Sequence, residues 1–183
     1  MDVVKKNRIY LTGFMGSGKS TITPILANTL GYKSIDIDKE IENKTQKNIA
    51  AIFSEMGEEY FRAIERSILQ EISKLDGYVI SLGGGTIADP SNFSIIKSTG
   101  ILIYLKSSPE QIYKRMKNKT DRPLLRINED ADGNDELLRS KIMKLLEMRE
   151  VFYNQAEIII STDENNIGKT VDEIVRSLKT FLK

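Results

Sequence analysis

The stretch GFMGSGKS, Gly13 to Ser20, constrains this chain more than any other segment. It lies between a short apolar run, RIYL at 8–11, and a helical pattern at 19–30, so a strand, a glycine-rich turn and a helix follow one another. In that setting G-x-x-x-x-G-K-[ST] is a phosphate cradle. Backbone N–H groups curl around phosphate oxygens, and the helix N-terminus adds its positive end. Lys19 reaches the β and γ phosphates, and the Ser20 hydroxyl can ligate magnesium. The nucleotide-contacting set is therefore Gly13, Gly16, Ser17, Gly18, Lys19, Ser20 and Thr21.

Such a loop is mounted on a parallel sheet, and four further runs supply one: KSIDI (33–37), YVISL (78–82), ILIYL (101–105) and AEIIIS (156–161). They read as strands covered on both faces. Helical patterns fall at 48–56, 58–75, 109–117, 135–153 and 168–182. The alternation predicts an α/β fold, a three-layer sandwich around a five-stranded, mainly parallel sheet in a single domain. Roughly forty residues separate the second and third runs, more than one crossover helix needs. Within them NIAAIFSEMG carries a cap at Asn48, an apolar face of Ile49, Ile52, Phe53 and Met56, and a stop at Gly57. An inserted helical subdomain over about 38–65 is expected. The charged, turn-rich segment from Lys117 to Asp135 reads as a lid or a disordered loop.

Composition narrows the chemistry. Lysine plus arginine number 27 against 26 acidic residues, so neither nucleic acid nor an anionic membrane is an expected partner. No apolar run approaches the ~18 residues of a membrane span, and no signal-peptide pattern opens the chain, so a cytoplasmic location is expected. The absence of cysteine and histidine removes disulfides, thiolate zinc sites and the commonest general base. Acid–base work must fall to Asp, Glu, Lys, Arg or Tyr.

Many phosphate-loop proteins hold their metal with an aspartate at the end of a later strand. Here that strand, YVISL, ends in Gly83, Gly84 and Gly85, and no NKxD-type guanine reader is suitably placed, which argues against a GTPase. Three glycines in a row serve either unusual backbone angles or a close approach to the backbone. The acidic candidates are Asp36 and Asp38, at the sheet end that opens on the phosphate loop. If the strand continues through both, they point the same way, one toward magnesium's water shell and the other toward an acceptor hydroxyl. Alternatively, Asp38 is the N-cap of a helix and Asp36 a solvated strand end.

Taken in order, GFMGSGKST (13–21), DIDKEIE (36–42), TQKNIAAIFSEMGEEYFRAIE (45–65), VISLGGGT (79–86), DRPLL (121–125) and REVFY (149–153) resemble the shikimate kinase family over nearly the whole chain. The resemblance implies transfer of the γ-phosphoryl of ATP to the 3-hydroxyl of shikimate, in chorismate and aromatic amino-acid biosynthesis. It implies a nucleoside monophosphate kinase-like fold with a substrate-binding insert at about 38–65 and a mobile lid at about 117–135, Mg²⁺ as cofactor, and a monomer with shikimate and ATP as partners. By the same resemblance Asp38 would bind the acceptor hydroxyls, with proton acceptance a further role open to it, and Asp36 would support Mg²⁺ through water. Arg62 and Arg149 would grip the shikimate carboxylate, a task suited to the guanidinium fork. Gly83, Gly84 and Gly85 would form a platform for the acceptor. Arg122 would reach the transferring phosphoryl, and Arg115 would flank the adenine.

Each arginine has a plainer reading. Arg62, between Glu58 and Glu65, fits an exposed ion-pair ladder. Arg149, among Leu145, Leu146, Met148 and Phe152, fits a helix arginine whose stem covers apolar surface, and Arg122 fits a solvated loop. The chain departs from the family pattern at Thr23-Pro24, at Thr45-Gln46 and at Val151-Phe152 beside Arg149. NEDADG (128–133) copies half of a calcium loop, but Arg139 stands where the bidentate glutamate is needed, so calcium is rejected. Two rivals are a gluconate or nucleoside monophosphate kinase of the same fold and a non-catalytic nucleotide-binding module.

Overall fold

The structure is a computed structural model that describes residues 7–117, 134–164 and 166–181. Five strands, β1 (Arg8–Thr12), β2 (Lys33–Asp36), β3 (Tyr78–Ser81), β4 (Ile101–Lys106) and β5 (Ile158–Ser161), form one sheet in the order β2-β3-β1-β4-β5. All four pairings are parallel. Parallel strands need crossovers, and the helices supply them: α1 (Lys19–Leu30), α2 (Ile37–Thr45), α3 (Ile49–Glu55), α4 (Gly57–Ile72), α5 (Pro90–Thr99), α6 (Pro109–Met116), α7 (Asn134–Tyr153) and α8 (Ile167–Leu178). The α/β sandwich expected from the alternation of strands and helices is present.

Strand alternation sorts the core into two layers. Ile9, Leu11, Val79, Ile103 and Leu105 face Leu26 of α1 and Ile174 of α8. Tyr10, Ile80, Leu102 and Tyr104 face the opposite layer, with Ile41, Leu69, Ile96, Ile142 and Tyr153 from α2, α4, α5 and α7. Ile9, Leu11 and Ile103 are wholly buried, each worth about 1.5–3 kcal/mol of transfer free energy. Both faces of the sheet are thus covered, which is why the central runs are apolar throughout. No helix among the described residues is long and apolar enough to cross a membrane.

Two local expectations change. β2 ends at Asp36 and α2 begins at Ile37, so the strand does not run through both aspartates and strand alternation does not align them. The cap is Asp36, whose carboxylate accepts the Lys39 backbone N–H at 3.3 Å, while Asp38 sits in the first turn of α2. Helix α5 was not foreseen, although Asp89 caps it through Ser91 and Asn92 and Pro90 occupies its first turn. Three helices, α2, α3 and α4, separate β2 from β3, in keeping with a connection longer than one crossover helix needs.

Candidate active site

The carboxyl ends of β1, β2 and β3 open on one cleft of about 1090 Å³. Phosphate-loop residues 16–21 line one part of it; Asp36, Asp38, Arg62, Gly83, Gly84, Gly85 and Arg149 line another. The described candidate residues therefore converge on one space, apart from Gly13, which does not line the cleft. Arg122 lies outside the described residues, as does NEDADG.

At the phosphate loop the backbone is tightly specified. Gly18 caps α1 in the left-handed region, with φ 99°, and the Gly18 carbonyl accepts the Ile22 N–H at 2.9 Å. A β-carbon on Gly13 would lie 2.6 Å from the Leu105 carbonyl oxygen, so the end of β4 presses directly on the loop. Lys19 Nζ donates to the carbonyls of Gly13 at 2.7 Å and Phe14 at 3.1 Å, which holds the ammonium across the loop mouth. The Ser17 Oγ is buried with no hydrogen-bond partner among the described residues. Pro24 lies inside α1, and the Thr23 hydroxyl donates to the Lys19 carbonyl at 2.7 Å, so the departure there is absorbed within the helix.

Arg115 fastens the nucleotide end. Its Nη1 donates to the Gly16 carbonyl at 3.1 Å and to Ser107 Oγ at 3.0 Å, and its Nη2 donates to the Thr162 carbonyl at 2.7 Å. Asp163 accepts from Ser107 Oγ and from the Ser108 N–H. Burial works against its charge, but those bonds hold its carboxyl below the usual range. Arg115 thus ties the phosphate loop to the ends of β4 and β5 while lining the cleft.

The glycine triplet proves to be about space rather than backbone angle, since none of its three residues has positive φ. A β-carbon on Gly83 would stand 3.0 Å from Asp38 Oδ1; on Gly84, 3.0 Å from Arg149 Nη1; on Gly85, 2.9 Å from Arg62 Nη2. Each glycine makes room for one of the three charged side chains expected to hold the acceptor.

Arg62 combines its two readings. The ladder exists: Glu58 Oε1 accepts from Nε at 3.3 Å and Nη2 at 3.1 Å, and Glu65 Oε2 accepts from Nη1 at 2.9 Å. It is not merely a surface ladder, because the Glu65 side chain is only 1% exposed. Burial opposes the Arg62 charge, yet Glu65 and Glu58 outweigh it and raise its pKa further. Thr86 Oγ1 donates to the other Glu65 oxygen at 2.6 Å. Phe61 lies beneath the guanidinium at 5.2 Å, and Phe53 packs on Phe61. Glu65 and Thr86 were missed as functional candidates. The Arg-x-x-Glu spacing was legible, but burial of the glutamate was not.

Magnesium is a hard ion that retains waters and takes one or two protein oxygens beside substrate phosphates. No group of three or more acidic side chains placed to hold a metal together occurs among the described residues; Ser20 and Asp36 line the cleft, as do Asp38, Glu42 and Glu65. Oxygens this dispersed suit an ion brought in with a nucleotide rather than one held in a protein cage.

Comparison with known proteins agrees with this geometry. The family model described as shikimate kinase matches residues 15–179. The shikimate kinase of Chlorobium phaeobacteroides is 47% identical over 175 residues, 96% of this chain and 88% of that protein. That of Prosthecochloris aestuarii is 45% identical, covering 96% and 89%. Among solved structures, shikimate kinase from Acinetobacter baumannii in complex with shikimate is 31% identical with a TM-score of 0.85, covering 97% of this chain and 96% of that one. Shikimate kinase from Bacteroides thetaiotaomicron is 34% identical with a TM-score of 0.84, covering 94% and 98%. With a family model, near-full-length relatives and the fold in agreement, this chain belongs to the shikimate kinase family.

Proposed function

We propose that the chain transfers the γ-phosphoryl group of ATP to the 3-hydroxyl of shikimate, releasing shikimate 3-phosphate and ADP, as a cytoplasmic monomer. The observation that carries this reading is the pairing of Arg62 and Arg149 with adjacent glycines, in a cleft that also holds Asp38 and a phosphate loop. Two guanidinium groups beside a carboxylate suit an acceptor with an acid at one end and hydroxyls at the other.

In this mechanism the phosphate loop and Lys19 hold the β and γ phosphates, and Arg115 with Thr162 borders the adenine. Lys19 exchanges its bonds to the Gly13 and Phe14 carbonyls for phosphate oxygens. Arg62 and Arg149 fix the acceptor carboxylate, and Asp38 holds the reacting hydroxyl in line and accepts its proton. Ser20, and Asp36 through water, would hold Mg²⁺, which would supply charge neutralisation at the phosphates. Arg122 adds positive charge at the transferring group, where neutralisation contributes most. The helices α2–α4 act as the acceptor-binding insert, and the segment 117–135 as the lid that excludes water.

The test is ADP release in a coupled assay with shikimate, gluconate and nucleoside monophosphates as acceptors. Shikimate-dependent turnover is expected, with Arg62→Ala and Arg149→Ala raising the KM for shikimate strongly. Turnover on another acceptor alone, or ATP binding without turnover, would overturn the reading.

A further inference from the structure

Tyr153 ends α7 one helical turn after Arg149 and is wholly buried, yet its hydroxyl is committed to the acceptor site. The phenol donates to the Gly84 carbonyl at 2.6 Å, and a β-carbon on Gly84 would stand 3.5 Å from the phenolic oxygen and 3.0 Å from Arg149 Nη1, so hydroxyl and guanidinium flank the same glycine. Chemistry fixes the direction of that bond. A carbonyl can only accept, so the phenol spends its proton on Gly84 and leaves its oxygen as an acceptor beside the Arg149 guanidinium. Burial pushes the phenol up to about 12, so this proton stays in place at any working pH. The ring cannot drift, because it packs on Tyr104 of β4 with centroids 5.0 Å apart.

Two consequences reach the cleft. The Arg149 guanidinium, 5.9 Å from the Phe14 ring, shares the side of Gly84 with the phenol, which limits where it can turn. The peptide joining Gly84 to Gly85 is trans, so a carbonyl drawn toward Tyr153 turns the Gly85 N–H the opposite way, away from the buried phenol. Glycine peptides reorient easily, and this one is pinned by a single oxygen.

We propose that Tyr153 is a positioning residue for the acceptor carboxylate, acting through Arg149 and the Gly84–Gly85 peptide so that arginine and platform present their donors as one unit. This rests on reading Arg149 as a carboxylate ligand. It also accounts for tolerance of the Val151-Phe152 departure: the tyrosine, not the intervening residues, aims the arginine.

Tyr153→Phe keeps the ring and removes the hydroxyl. It is expected to raise the KM for shikimate about tenfold, the scale for losing a hydrogen bond to a charged group, with kcat and the KM for ATP changed less than about twofold. With the amide analogue of shikimate, which lacks the anion, wild type and variant should have equal KM. In the Arg149→Ala background the same change should cost less than it does alone. A Tyr153→Phe protein that keeps its shikimate KM, fails to fold, or loses kcat and both KM values together overturns the inference, as does full multiplication of the two losses. The reading beneath it fails differently: Arg149→Ala alone would then leave the shikimate KM unchanged.

Discussion

Arg62 Nη2 lies 2.9 Å from the point where a β-carbon on Gly85 would stand. The obstructed atom is the far end of a flexible side chain, so Gly85→Ala should fold normally while displacing the guanidinium. We expect the KM for shikimate to rise about tenfold, the loss of one charge-assisted bond, and the KM for ATP to hold. Steady-state kinetics with each substrate varied in turn would test this; an increase in the ATP KM alone would return the triplet to phosphate binding.

Glu65 is expected to matter as much as the arginine it orients. Glu65→Gln keeps an acceptor for Arg62 and Thr86 but removes a buried charge from both bonds. The expected result is a shikimate KM raised by about tenfold or more and a stability loss of about 1.5–3 kcal/mol. Denaturant unfolding beside acceptor kinetics measures both, and a variant with unaltered shikimate KM would reduce Glu65 to a structural partner.

Asp38→Asn preserves shape while removing the carboxylate next to Gly83. Turnover should fall by at least about a hundredfold, the lower scale for losing a positioned base, while ATP affinity measured by calorimetry stays near wild type. Near-normal turnover would assign Asp38 no part in the chemistry.

The Asp89 cap gives a pH-dependent prediction. Burial opposes its charge, but Arg66 and the Asn92 and Ser91 N–H groups prevail and lower its pKa below the ordinary 3.8. Its contribution is therefore complete above about pH 4 and is lost as pH falls through the depressed folded value. Asp89→Ala should cost about 1–2 kcal/mol at pH 7, with the gap between variant and wild type narrowing as pH falls below about 4. A gap that does not narrow on acidification would contradict this.

The sequence marked some features more sharply than others. β1 and α1 were legible because apolar runs and the glycine-lysine turn are local signals, and α1 matches its expected bounds of Lys19–Leu30. The end of β2 was not, because a helix cap at Asp36 and a continuing strand share the same letters, Asp-Ile-Asp. Helix α5 was overlooked although Asp89-Pro90 is a strong start signal, since only Asn92 and Ile96 within it are buried and its apolar pattern is weak. At the site, residue types that carry charge could be nominated, whereas Glu65 and Tyr153 depend on burial and on partners distant in sequence. The reason for three glycines was open for the same cause: the side chains that need the space come from α2, α4 and α7.

The parallel pairing of β1 with β3 sets Leu11 beside Ser81, and the Leu82 N–H reaches the Leu11 carbonyl at 3.0 Å just before the glycines begin. The phosphate loop and the glycine triplet thus leave neighbouring strands of one ladder, in a fixed register. An evolutionary change of acceptor need not re-solve the distance over which the phosphoryl travels. It can proceed by substitutions on α3 and α4, which face the cleft from a connection that the ladder does not depend on, so new specificity and old transfer geometry are separable traits.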